Sequence, residues 1–171
     1  GLAQMRDALA ETMQAAEARP VCVTLTPSFS ASWLMPRLGA FRAAHPAVEL
    51  MLNPSAQVAE LGAGAFDLAI RYGEGDWPGL DSQPLVTSPM AVVAAPSVAA
   101  GRRFETAADL LALPWINELG FDEWGSWMRR RGVDVGAKRD VLHLPGNLIL
   151  DALRAGHGAA LVARSNVADD L

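Results

Sequence analysis

Short apolar runs and amphipathic stretches take turns along this chain. The first run, Val21-Cys22-Val23-Thr24-Leu25, ends in Thr26-Pro27. Small hydroxyl residues follow at Ser28, Ser30 and Ser32. Leu34, Leu38 and Phe41 then recur at i, i+4 and i+7, one face of a helix. The spacing predicts a strand over residues 21–26, a serine-rich turn, and a helix over 32–44. Pro36 falls near the first or second turn of that helix and removes a backbone hydrogen bond if it lies past the first. His45-Pro46 ends the helix, because the residue before a proline is driven out of the α region. A second strand is expected over 48–52, turning at Asn53-Pro54-Ser55. A short helix over 56–63 and a third strand over 66–70 follow. The loop 73–79, with three glycines and a proline, excludes regular structure. Residues 85–86 and 91–94 read as further short strands.

The rhythm restarts at Ala95-Pro96. Thr106 and Asp109 have capping-box spacing ahead of Leu110-Leu111. Residues 115–118 read as a strand. Asp122 is placed to cap a helix carrying Trp124, Trp127 and Met128. Arg129, Arg130 and Arg131 lie at its end, where cations complement the helix dipole, and Gly132 stops it. A strand over 141–144, a turn at Pro145-Gly146-Asn147, a helix with Leu148, Leu150 and Leu153, and a strand over 159–163 complete the pattern. A last helix is expected to open at Ser165. Strands alternate with helices throughout, which predicts an α/β fold with largely parallel sheets, divided into two lobes near residue 95. The lobes are 19–95 and 96–171. Residues 1–18, where Leu2, Met5, Leu9 and Met13 step by three, four and four, form an amphipathic helix ahead of them.

Composition narrows the function classes. Of 171 residues, 51% are hydrophobic and 19% charged, a globular balance. The net charge of −5 gives no overall basic surface for nucleic acid. Cys22 is the one cysteine, so no disulfide framework forms and a reducing compartment, the cytoplasm, is expected. No apolar run is long enough to span a membrane, so no membrane partner is expected.

Open α/β sheets bind ligands beyond the carboxyl ends of their strands. That edge receives Ser28, Ser30 and Ser32 from strand one, Asn53 and Ser55 from strand two, and Tyr72 with the Gly73 loop from strand three. In the second lobe it receives Glu118, Gly146 and Asn147. Hydroxyls and free N–H groups at helix starts suit a small polar or anionic metabolite. Ser28, Ser32, Ser55 and Asn147 also fit plain N-caps, which every helix needs. Reactive constellations do not emerge. Gly125-Ser126-Trp127 lies inside a helix pattern, so there is no nucleophile elbow. His45, His143 and His157 lack ligand spacing to one another or to Cys22, so no metal is expected. Gly62-Ala63-Gly64 precedes a strand instead of following one, so no dinucleotide fingerprint and no cofactor are expected.

Four stretches together carry a family resemblance: TLTPSFSASWLMPRLGAFRAAHP, FDLAIRYGEGDWPGL, FDEWGSWM and ILDALRAGHGAAL. The chain resembles the effector-binding region of LysR-type transcriptional regulators, on the branch of the glycine-cleavage activator and the β-lactamase regulator. The resemblance implies two Rossmann-like lobes of the periplasmic-binding-protein type (type 2), incomplete at the C-terminus, with a small effector between them. It implies an effector site at Ser28, Ser30, Ser32, Ser55, Gly146 and Asn147. Residues 1–18 would be a linker helix pairing protomers into a dimer or tetramer, and DNA would be met only through an upstream winged helix-turn-helix. Relatives on the β-lactamase branch often carry Asp-Ser-Ser where this chain has Pro145-Gly146-Asn147. The competing readings are a free-standing solute-binding protein and an enzyme on the same scaffold.

Overall fold

In a computed structural model, which describes residues 4–5, 19–59, 61, 64–136 and 140–171, the chain divides into two compact units, residues 1–87 and 88–171. The expected lobe boundary at residue 95 falls later than this division. β4 (Met90–Ala94) belongs to the second unit because it pairs along its whole length with β7 (Ala159–Ala163).

Unit 1 holds a parallel three-stranded sheet in the order β2-β1-β3, from β1 (Val21–Leu25), β2 (Leu50–Pro54) and β3 (Leu68–Ile70). β1 is central, and Val23, Thr24 and Leu25 are fully buried, as expected of a strand covered on both faces. Registers are Leu25 with Pro54 on one side and Leu25 with Ile70 on the other. The three strands therefore finish level, at one edge. Leu34 and Phe41 bury their side chains and Leu38 packs beside them, as the spacing predicted. Met5 joins the same core. Only residues 4–5 of the expected helix over 1–18 are described, and both are helical. The predicted helix over 56–63 does not form across its described residues: 56–59 and 61 are bends and coil, and the rest lies outside the described residues. Residues 85–86 are likewise not a strand.

A carboxylate clips the start of this sheet. Asp67 accepts hydrogen bonds from the Cys22 N–H at 2.8 Å and from Arg19 Nη1 at 3.1 Å. Its side chain is only 10% exposed, and the Arg19 guanidinium, then the Cys22 N–H, hold its carboxyl below the usual range. Asp67 thus acts in strand alignment, at the edge away from the strand ends just described.

Unit 2 holds a four-stranded sheet in the order β4-β7-β5-β6, with β5 (Trp115–Glu118) and β6 (Val141–Leu144). β5 runs parallel to β6 and β7, and β4 alone among the described strands runs antiparallel to its neighbour, β7, within otherwise parallel sheets. Trp115 stacks on Trp124 with ring centroids 4.7 Å apart, and its Nε1–H donates to the Leu110 carbonyl at 2.9 Å. The Thr106–Asp109 pair forms as expected, with Asp109 accepting from the Thr106 N–H at 2.7 Å, but it opens a 3-10 segment, Ala107–Ala112.

Candidate functional site

The serine-rich segment of unit 1 is helical from an earlier point than its pattern suggested. Pro27–Phe29 is already in α geometry, Ser30–Leu34 widens to a π turn, and α1 (Met35–Ala44) continues the run. Two causes are visible. Thr26 has extended backbone angles and Pro27 follows at the first helical position, where its missing N–H costs nothing. Farther along, Pro36 cannot sit in a regular α turn without striking the carbonyl four residues back. The π turn opens the backbone ahead of it, and the Met35 N–H reaches back to the Ser30 carbonyl. Ser28, Ser30 and Ser32 therefore lie within the helical run rather than in a turn before it, and Thr26 takes the cap position without a side-chain cap bond. Ser28 and Ser32 are half-buried and lie four residues apart, near one face of the run. Ser30, only 6% exposed, is buried.

Ser55 arrives at the same edge from β2. Its N–H donates to the Leu25 carbonyl at 2.8 Å, and its hydroxyl accepts the Gln57 N–H at 3.1 Å, a short serine turn. The level strand ends thus bring Ser28 and Ser55 to one side of one sheet, and Arg71, the first residue after β3, joins them. Arg71 donates from Nη1 to the Ser55 carbonyl at 2.6 Å, and from Nη2 to Thr24 Oγ1 at 2.7 Å and the Gln57 carbonyl at 2.8 Å. It had no place among the residues expected from sequence. The signal available was a cation directly after an apolar strand in Phe66-Asp67-Leu68-Ala69-Ile70-Arg71. Its partners are two backbone carbonyls and a threonine, which no spacing rule reveals. Beyond it, Trp77 lies against Gly73, and a Cβ there would sit 2.9 Å from the indole. Tyr72 is largely exposed.

In unit 2, Glu118 ends β5 level with Leu144 of β6, beside the turn at Gly146. Gly146 and Asn147 lie in a 3-10 segment, Gly146–Leu148, ahead of the six-residue helix Ile149–Arg154. Gly146 is buried under the Glu118 carboxylate, which occupies the space a Cβ would need. Asn147 is exposed, sits within the segment and does not cap it. The absence of a side chain at Gly146 is thus matched to Glu118. Gly146→Ser is expected to lower stability by about 1–3 kcal/mol through overpacking, and most of that loss should vanish in a Glu118→Ala background. Urea unfolding of the four-member cycle measures it, and equal losses in both backgrounds would refute the pairing.

Among the described residues, no group of three or more His, Cys, Asp or Glu side chains is arranged to hold a metal ion. His143 and His157 are exposed, and His45 packs on Phe41 with ring centroids 4.9 Å apart. No helix among the described residues is long and apolar enough to cross a membrane.

Residues 14–171 match the LysR substrate binding domain. The AhcY transcriptional activator HvrB of Rhodobacter capsulatus is 34% identical over 153 residues, covering 90% of this chain and 52% of HvrB. The HTH-type transcriptional activator AmpR of Pseudomonas aeruginosa is 33% identical over 146 residues, covering 84% and 49%. The chain spans about half the length of the curated relatives it matches. Among solved structures, the effector domain of Pseudomonas aeruginosa AmpR superposes with a TM-score of 0.68 at 31% identity, covering 89% of this chain and 73% of that one. The regulatory domain of CrgA from Neisseria meningitidis gives a TM-score of 0.73 at 18% identity, covering 90% and 77%, and speaks for the fold alone.

Proposed function

The chain belongs to the LysR family, with the α/β units of a periplasmic-binding-protein-like effector domain, and from that premise we propose that it senses a small metabolite for a longer transcriptional regulator. In this reading the effector contacts Ser28, Ser32 and Ser55 at the carboxyl edge of unit 1, and the edge of unit 2 offers Asn147 and the Gly146 backbone. Ser30, the third serine of the expected site, is buried within the same run. The observation that carries the reading is the level finish of β1, β2 and β3, which delivers hydroxyls from distant parts of the chain to one sheet edge. Helix-start N–H groups there favour an anionic or strongly polar ligand.

The module binds and does not catalyse. Its named relatives are transcriptional activators, which also favours sensing over free-standing solute capture. The full-length protein would act in the cytoplasm as a dimer or tetramer and meet DNA through a separate domain. Signalling requires the effector to bind two conformations of the regulator unequally, since a ligand that binds both alike shifts nothing.

A thermal-shift screen of small metabolites on this chain, repeated on Ser28→Ala and Ser32→Ala, tests the site. Neither serine caps a helix here, so both variants should keep wild-type stability within about 0.5 kcal/mol. A hit should bind them about tenfold more weakly, the worth of one hydrogen bond to a charged group. Undiminished binding to both variants would overturn the assignment.

A further inference from the structure

Arg71 is a cation that the fold places at the carboxyl edge of unit 1 without an acidic partner. Its guanidinium is held by Thr24 Oγ1 and by the Ser55 and Gln57 carbonyls, all neutral acceptors. Nε is shielded from solvent and meets no acceptor. Among the described residues no acid bonds to it. Glu74 and Asp76, in the loop that follows, are exposed and form no ion pair with it. Burial alone accounts for the depression of its pKa, with no compensating carboxylate, and arginine stays protonated regardless. Asp67 in the same unit shows the contrast: there a carboxylate faces Arg19, and each holds the other in its charged form.

A half-buried charge with no counter-ion costs free energy that a bound anion can return. The residues directly after the three strand ends, Thr26 to Ser28, Ser55 to Gln57, and Arg71, hold one positive charge and no acid. Three of the five guanidinium N–H groups are engaged by the protein, which fixes the fork before any ligand arrives. A single fixed charge matches a monoanion; a phosphate dianion would keep one charge uncompensated.

We propose that Arg71 is the specificity-determining residue of unit 1, and that it gives this edge a requirement for a ligand bearing a carboxylate. The inference rests on the sensing function proposed above and deepens it. Arg71 does two things at once. It ties the Ser55–Gln57 turn to β1 through Thr24, so Ser55 is held at the edge. It also sets the sign of the potential there, because guanidinium–carboxylate pairing is stronger than any bond the serine hydroxyls make with a neutral group.

The test uses sodium acetate as the carboxylate probe, followed in 1H–15N spectra of the chain, with sodium chloride at equal ionic strength as control. Acetate should shift the Ser28 and Gln57 amides and the Arg71 Nε resonance saturably in the millimolar range, about 4 kcal/mol or less of binding, and chloride should not. Arg71→Gln should weaken acetate binding by about tenfold or more. Arg71→Lys, which keeps the charge, should retain part of it. Thr24→Val, which removes one strut and keeps the guanidinium, should stay within about threefold of wild type. Should Arg71→Gln lose its dispersed spectrum, the contrast between Arg71→Lys and Thr24→Val still decides. Acetate shifts no larger than those from chloride, or equal saturation in Arg71→Gln, would overturn the proposal. An uncharged metabolite emerging from the thermal-shift screen while acetate stays silent would defeat the carboxylate requirement and leave the sensing function standing.

Discussion

Replacing Trp115 with alanine should cost unit 2 about 3–5 kcal/mol, the range for deleting a fully buried aromatic side chain. Trp115 has no exposed surface, stacks on Trp124 and belongs to the core cluster with Leu113, Met128 and Ala159. Its removal forfeits three things together: the transfer free energy of a large apolar group, the stacking with Trp124, and the indole N–H bond to the Leu110 carbonyl. The remaining cavity is lined by Leu113, Trp124, Met128 and Ala159, and the β5 backbone at residue 115 is held between β6 and β7, so collapse can recover little of the loss. Urea unfolding followed by far-ultraviolet circular dichroism measures the change. A loss below about 1.5 kcal/mol would contradict the burial and packing assigned to this indole.

Leu34→Ala should produce the second large effect, about 2–5 kcal/mol in unit 1. Leu34 is 1% exposed and closes the π turn, where it packs with Val21, Val23, Leu25, Trp33 and Phe41. Unlike the serine substitutions, this one should injure stability and ligand response together, because it loosens the docking of the whole run that presents Ser28 and Ser32. Denaturant midpoints and thermal-shift titrations on the same preparation separate the cases. Lowered stability with unchanged affinity for a ligand that contacts Ser28 would show that the π-turn packing does not position the serines.

These two predictions also show where sequence reading succeeds. The period of Leu34, Leu38 and Phe41 named the buried face of α1 correctly, since burial of an amphipathic stripe is a local property of spacing. β1, β5, β6 and β7 were legible for the same reason: apolar runs bounded by proline and glycine have few other fates. The start of the helical run was misplaced by five residues. Serines 28, 30 and 32 resemble capping residues, yet Pro27 after an extended Thr26 is itself a helix-start signal, and it prevailed. The expected helix over 56–63 fails at residues 56–59, where Ser55 turns the chain onto its own hydroxyl and the Gln57 carbonyl is taken by Arg71.

The chain's own residues determined its class: an α/β protein in two units, with a polar, hydroxyl-bearing edge where strands give way to helices, and the motif stretches of the LysR family. Tertiary structure alone decided the rest. Only the register of Leu25 with Pro54 and Ile70 sets Ser28, Ser55 and Arg71 at one edge. Only the packing of Glu118 over Gly146 explains why that turn carries no side chain. Only the antiparallel ladder of β4 with β7 assigns residues 90–94 to unit 2. The physical reason is common to all three. Periodicity reports which face of an element is apolar, whereas strand direction, register and the pairing of a charge depend on partners dozens of residues away, which local pattern does not encode.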